Sequence, residues 1–257
     1  MILSNRIALV VGGGNGLGRA IAKVYAREGA VVIVADLDYN AAVETLTQIN
    51  QSHKGMAYQV DISDAEACQR LVQTVVDRWG RLDILVNCAA ISLVDPILEV
   101  TPERWDRVFA VNARGAFFCM QAAARVMIPQ KFGRIINITS PASKSGFPFF
   151  TSYCASKAAV DSMTRCAAVA WAPYGVTVNT IAPGRMTGGM VDAIEKEMMK
   201  LTGKTAEQLK AERTRDLPMG RRVTPEEVAE AAVWLASDAA AYVTAERFNF
   251  SGGMELA

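Results

Sequence analysis

The residues with the clearest capacity for chemistry are Tyr153 and Lys157, the ends of the stretch YCASK. On a helix this four-residue spacing places both side chains on one face, one turn apart. A free tyrosine ionises near pH 10, and bringing that to about 7 requires roughly 4 kcal/mol of preferential stabilisation of the phenolate. A neighbouring ammonium favours the phenolate, so the pair has the composition of a general base and the cation that tunes it. One turn of an ordinary amphipathic helix offers the same pair, so its meaning depends on what is brought to it. The hydroxyl of Ser140 and the amide of Asn112 would complete a proton donor, a cation, a hydroxyl and an amide if all four met at the carboxyl ends of parallel strands, where open α/β sheets bind ligands.

The elements needed for that convergence are legible. Strand-like apolar runs cover 6–11, 30–36, 55–61, 82–87, 133–139 and 176–182, and ERFNF at 246–250 adds a seventh. Near-continuous Val, Ile and Leu runs with helical stretches between them predict an α/β fold of the Rossmann type, a doubly wound parallel sheet of about seven strands with helices on both faces. Ser63 with Glu66, and Thr224 with Glu227, read as capping boxes, the second with Pro225 at the first helical position. No linker or repeat divides the series, so residues 1–257 read as a single dinucleotide-binding catalytic domain. The one long interruption, 184–219, reads as a mobile lid of two short helices with Gly203 between them.

Composition narrows the function. A chain of 257 residues, 51% hydrophobic with a net charge of +1, shows no basic face and no acidic tail, which predicts a small-molecule substrate and neither nucleic acid nor membrane as partner. No run of about 18 apolar residues occurs, and a cytoplasmic location is expected. Cys68, Cys88, Cys119, Cys154 and Cys166 form no CxxC pair, so structural thiols are expected, and no metal site. The single histidine, His53, lies in a polar stretch read as an exposed loop. Hydrolases built on Ser and His, and dehydrogenases with a histidine base or zinc ligand, would have to rely on it.

The stretch GGGNGLG at 12–18 follows the first strand and opens a helix. Its Gly12, Gly16 and Gly18 permit a tight turn, close approach of backbone amides to a pyrophosphate, and close packing of helix on sheet. Asp36 ends the second strand, where a carboxylate accepts hydrogen bonds from an adenosine ribose diol and repels a 2′-phosphate, which favours NAD over NADP. Asp61, ending the third strand, can likewise reach the adenine amine, or simply precede a helix.

Together, the glycine loop, Asp36, LVNCAA (85–90), VNARGAFF (111–118), Ser140, YCASK and PGRMT (183–187) resemble the short-chain dehydrogenase/reductase family over essentially the whole chain. The resemblance implies roles position by position. Tyr153 matches the general acid/base, Lys157 the lysine that lowers the tyrosine pKa and holds the nicotinamide ribose, and Ser140 the serine that hydrogen-bonds the substrate oxygen. Asn112 matches the asparagine that organises a proton-relay water. Thr187 matches the threonine at the carboxamide, with Pro183 and Gly184 shaping its turn, and Asn87 the asparagine beside the adenosine half. Gly12, Asn15, Gly16, Leu17, Gly18, Asp36, Asp61 and Ile62 complete the implied cofactor contacts, shared with Tyr153 and Lys157. Ser140, Ala142, Tyr153 and Arg185 are the implied substrate contacts, and a homotetramer is the implied assembly. Three positions depart from the family: Val11 where Thr or Ser is usual, Cys88-Ala89-Ala90 where Asn-Ala-Gly is usual, and Ser251 where an aspartate usually precedes the glycines. The first two fall on neighbouring central strands and suggest one replaced contact.

Candidate pocket walls are 92–94, 141–144, 147–150 and 184–190. Their mixture of Ser, Lys and aromatic residues suits a small polar secondary alcohol, a polyol or sugar, oxidised with NAD. Arg185 and Lys144 leave open a hydroxy-acid or otherwise anionic substrate. A 3-oxoacyl-carrier reductase and a non-catalytic NAD-sensing protein are the remaining readings. The first is disfavoured by Asp36 and by the lack of a basic patch, the second by the presence of Asn112, Ser140, Tyr153 and Lys157 together.

Overall fold

The computed structural model describes residues 1–50, 54–215 and 217–254, so His53 lies outside the described residues. Strands β1 (Ile7–Val11), β2 (Val31–Asp36), β3 (Met56–Gln59), β4 (Ile84–Asn87), β5 (Gly133–Ile138), β6 (Val176–Pro183) and β7 (Arg247–Phe250) form one sheet in the order β3-β2-β1-β4-β5-β6-β7. Every pairing is parallel. The chain reverses its direction of travel across the sheet between β1 and β4, which opens a crevice at their carboxyl ends.

The apolar strand runs conceal an alternation. Ala8 and Val10 of β1 pack with Ile21, Tyr25 and Ala229 on one face, while Ile7, Leu9 and Val11 pack with Leu71, Met120 and Val75 on the other. Both faces are covered, so both sets of side chains are apolar and the run reads as continuous. Each such side chain, taken fully from water, contributes about 1.5–3 kcal/mol.

The covering helices are α1 (Gly16–Arg27), α2 (Tyr39–Gln48), α3 (Ala65–Trp79), α4 (Pro102–Phe109), α5 (Ala116–Gln130), α6 (Thr151–Trp171) and α9 (Pro225–Ala236). Helix α9 starts with the expected reciprocal box, Thr224 and Glu227 each capping the other's backbone amide, with Pro225 at its first turn. Helix α3 differs from expectation. Its cap is Asp64, one residue after Ser63, and the Asp64 carboxylate accepts from the Glu66 amide at 2.9 Å. Ser63 is instead held outside the helix, its amide donating to Asp61 Oδ1 at 2.9 Å and its carbonyl accepting from Arg114. A carboxylate also suits a helix N-terminus better than a hydroxyl does.

Between α4 and α5 the helix widens over Ala110–Gly115 into a π-turn, and this bulge carries Asn112. Such bulges re-aim a side chain within an otherwise regular helix. Between β6 and α9 stand α7 (Met190–Thr202) and α8 (Ala206–Arg215), with Gly203 closing α7 at φ +68°. Helix α7 buries no residue fully and α8 buries only Leu209, so this pair is held far less firmly than the helices on the sheet.

Candidate active site

The carboxyl ends of the central strands open into one cavity of about 990 Å³, walled at one end by Asp36 and at the other by Ser140 and Tyr153. Its floor is the loop after β1. Gly12 has φ +79°, and a Cβ on it would stand 2.4 Å from the Ala89 nitrogen. At Gly18 the space is tighter still, since a Cβ there would lie 2.0 Å from the Gly12 carbonyl oxygen. Gly16 is different: its φ is +51°, and nothing lies within 4 Å of where a Cβ would be. Two of these glycines let the chain pass itself, and the third leaves open room on the cavity wall.

Asp36 shapes the loop as well as facing the cavity. Its carboxylate accepts from the Gly14 amide at 2.8 Å through Oδ2 and from the Asp38 amide at 3.1 Å through Oδ1. Arg19, unforeseen from the sequence, braces the same turn by donating from Nε to the Gly14 carbonyl at 2.8 Å and to Thr45 Oγ1 at 2.9 Å. Val11 and the unusual 88–90 segment meet directly: the Cys88 and Ala89 amides both donate to the Val11 carbonyl at 2.9 Å. This contact is made by backbone atoms alone, and the side chains of Val11 and Cys88 pack on opposite faces of the sheet, so it does not account for the departure from the family pattern.

At the other end, Ser140 leaves β5 with its hydroxyl accepting from the Ala142 amide at 3.2 Å, and it stands near enough to the Tyr153 phenol to favour its ionised form. Lys157 is 3% exposed, donates from Nζ to the Ile138 carbonyl at 2.7 Å, and stands 5.7 Å from the centre of the Tyr153 ring. The two proton affinities are set mainly by burial. Desolvation pushes the Tyr153 phenol up to about 12, with Ser140 pulling the other way. Desolvation also pulls the Lys157 ammonium down to about 8, while the Asp161 carboxylate helps to keep it charged. In the protein alone, desolvation thus outweighs the Ser140 contribution and leaves the Tyr153 phenol above its ordinary value.

Asp161 belongs to a support that the sequence did not announce. Arg247 on β7 donates from Nε to Asp161 Oδ2 at 3.2 Å and from Nη2 to the Ser140 carbonyl at 3.1 Å. Asp161 lies four residues after Lys157 on α6, which is the only hint of this link in the sequence. One cation on the last strand thereby fixes the backbone of Ser140 and the carboxylate that faces Lys157.

Of the sequence-derived candidates, Gly12, Asn15, Gly16, Leu17, Asp36, Asp61 and Ile62 line the cavity. So do Ala142, Pro183, Gly184, Arg185 and Thr187, together with Ser140, Tyr153 and Lys157. Asn87 and Asn112 stand behind the wall. Asn87 donates from Nδ2 to Asn137 Oδ1 at 2.8 Å and to the Ala116 carbonyl at 3.2 Å, so its amide ties β4 to β5 and α5, and its neighbour Cys88 faces the cavity instead. Asn112 accepts from the Ile91 amide at 2.8 Å and donates to the Ile91 carbonyl and to Ser156 Oγ, which holds the 88–92 wall in place. Gly18 lies beneath the loop rather than on its surface. Ser92 and 147–150 line the cavity as expected, whereas 93–94 and 143–144 do not, which removes Lys144 from the wall. Helices α7 and α8 contribute lining residues that the sequence did not single out, among them Ile194, Met198 and Arg213.

Among the described residues no cluster of His, Cys, Asp and Glu has the makings of a metal site, and no helix is long and apolar enough to cross a membrane. The five cysteines are free thiols.

A parallel sheet with this strand order, a glycine loop after β1 and a Ser, Tyr and Lys group after β5 defines a nucleotide-dependent oxidoreductase, and comparison with known proteins identifies which kind. A family model described as Enoyl-(Acyl carrier protein) reductase matches residues 12–255. A galactitol 2-dehydrogenase of Agrobacterium fabrum and a sorbitol dehydrogenase of Cereibacter sphaeroides are each 38% identical, over 98% of this chain and 98% of the relative. The crystal structure of levodione reductase superposes with a TM-score of 0.91 at 30% identity, over 97% of both chains. The chain belongs to the short-chain dehydrogenase/reductase family, oxidoreductases that act on CH-OH groups with NAD or NADP.

Proposed function

We propose that the protein oxidises a secondary hydroxyl of a polyol or sugar to the ketone, with NAD as hydride acceptor and Tyr153 as general base. The observation that carries this reading is the single cavity with the Asp36 carboxylate at one end and the Tyr153, Ser140 and Lys157 group at the other. The names of the galactitol and sorbitol dehydrogenases at 38% identity support the substrate class.

The residues present fit a dinucleotide. The open face of Gly16 leaves space for a phosphate against the first turn of α1, whose N-terminal amides favour an anion. Asp36 retains lone pairs for a ribose diol and repels a 2′-phosphate, which supports NAD. Bound NAD supplies the hydride acceptor and, in its oxidised form, a positive ring that favours the phenolate. Ser140 would hold the substrate oxygen, Tyr153 would take its proton, and Lys157, kept mostly charged at neutral pH by a pKa of about 8, would stabilise the resulting negative charge. The weakly held helices α7 and α8 would close over the cavity and exclude water. Exposed Phe117 on α5 and Val169 on α6 support assembly as a homotetramer.

Initial rates with galactitol, sorbitol, other secondary alcohols and simple primary alcohols, each with NAD and with NADP, test the reading. Among these neutral alcohols a polyol with NAD should give the highest kcat/KM, and turnover confined to NADP or to alcohols with a single hydroxyl would overturn the reading.

The raised tyrosine gives the pH dependence its sign. Oxidation uses the deprotonated phenol, a minority form at pH 7 when the pKa is pushed up toward 12, together with the charged form of Lys157, which is lost above about 8. The kcat/KM for the alcohol should therefore climb from about pH 6 to about 8 and flatten above that. Ketone reduction uses the protonated phenol and should stay level over the lower part of that range. Stopped-flow rates in both directions check this, and an oxidation rate that falls with rising pH would contradict it.

A further inference from the structure

We propose that the lid carries a cationic subsite centred on Arg213, which takes an anionic group, a carboxylate, sulfonate or phosphate, at one end of the hydroxylated substrate. The inference rests on the polyol reading and narrows it.

On the lid, two guanidiniums share one carboxylate. Glu195 of α7 holds Arg222 at 2.5 Å through Oε1, with side chains 19% and 10% exposed. The same oxygen lies 3.8 Å from Nε of Arg213, outside hydrogen-bond distance, and among the described residues no carboxylate comes closer to that guanidinium. Arg213 is only 21% exposed at its side chain. Its pKa is lowered by burial, with Glu195 opposing and with Arg185 and Arg222 adding like charge nearby. A largely buried cation with a shared, distant counter-charge is costly unless another anion completes its shell. Lys204, on the same wall, shows the contrast: Glu212 accepts from its Nζ at 2.7 and 2.8 Å, so its charge is already answered.

Arg213 lines the cavity, and the sheet order shows at which end. Its neighbour Arg185 follows Gly184 at the carboxyl end of β6, where the Arg185 carbonyl accepts from the Val223 amide at 3.1 Å. Strand β6 lies beside β5, which leads into Ser140, while the glycine loop and Asp36 lie across the crevice on β1 and β2. The anion on Arg213 is on this ground assigned to the molecule whose hydroxyl meets Tyr153. Because a Cβ on Gly189, just before α7, would stand 4.0 Å from the Gly16 Cα, the dinucleotide phosphates are the competing occupant, and equal loss on neutral and anionic substrates would mark them. The planar fork of a guanidinium matches two oxygens of such a group at once.

Matched substrates test this with NAD: glycerol against glycerate, glycerol 3-phosphate and 2,3-dihydroxypropane-1-sulfonate, and galactitol against galactonate. At least one anionic member should exceed its neutral partner in kcat/KM by about 30-fold or more, the worth of a charge-assisted hydrogen bond. Arg213→Gln should erase that advantage while changing the neutral partner less than about threefold, and Arg213→Lys should restore part of it, as judged from a charged bond's usual contribution. Calorimetric titration of the preferred anion into the enzyme with NADH should show the same loss of binding. The wild-type comparison stands even if a variant folds poorly. Preference for the neutral member in both sets, or equal loss on neutral and anionic substrates in Arg213→Gln, would overturn the subsite and leave the polyol reading intact. Turnover of no member would remove both.

Discussion

Tyr153→Phe should lower alcohol oxidation by about a thousandfold or more while dinucleotide binding changes little, as expected for loss of a general base. The substitution removes one oxygen from a ring that is already packed in the cavity wall, so shape is kept and only the proton acceptor is lost. Nothing nearby can replace it. Lys157 holds its proton at neutral pH, and burial pushes the Cys88 thiol up to about 12. The reduced nicotinamide absorbance reads the rate, and quenching of protein fluorescence reads dinucleotide binding. Activity retained within tenfold of wild type would remove Tyr153 from the mechanism.

Gly18→Ala and Gly16→Ala should separate fold from ligand. An alanine at 18 drives its methyl to 2.0 Å from the Gly12 carbonyl, an approach no Cβ tolerates, so β1, its loop and α1 must part. Overpacking of this kind costs about 1–3 kcal/mol or more. The thermal midpoint should fall by several degrees, roughly 2–4 °C for each kcal/mol in a chain of this size, and dinucleotide binding should fall with it. An alanine at 16 meets no atom within 4 Å and bears only the strain of φ +51°, about 1 kcal/mol. Its methyl points into the space assigned to the dinucleotide. Gly16→Ala should therefore lower the thermal midpoint less than Gly18→Ala does and lose dinucleotide affinity out of proportion to that fall. The reverse pattern, a stable Gly18→Ala and an unfolded Gly16→Ala, would contradict the loop geometry.

The sequence spoke most clearly where the deciding contacts are local. The Thr224 box needs only four consecutive residues and Pro225, and the strand runs need only their own apolar side chains. Ser63 and Asp64 compete for one helix start, and the winner depends on Asp61 and on Arg114 from another element. Long-range contacts decided the rest. Asn87 and Asn112 have polar side chains beside the cavity, yet Asn137 and the Ile91 backbone turn them into the scaffold. Desolvation of Tyr153, which no spacing reveals, raises its phenol above the ordinary value. Arg213 sits in a strongly charged helix of low periodicity, where nothing in the sequence distinguishes a cavity-facing guanidinium from a solvated one. Arg247 and Asp161 are 86 residues apart, and only the pairing of β7 with β6 brings them together.

The central claim is that hydride passes from a carbinol carbon of a polyol to NAD. Galactitol deuterated at its secondary carbinol carbons, incubated with the protein and NAD, tests it by mass spectrometry of the cofactor. Reduced cofactor carrying one deuterium, absent with Tyr153→Phe, is the predicted result. Reduced cofactor without deuterium, or none formed with any deuterated polyol, would contradict the account.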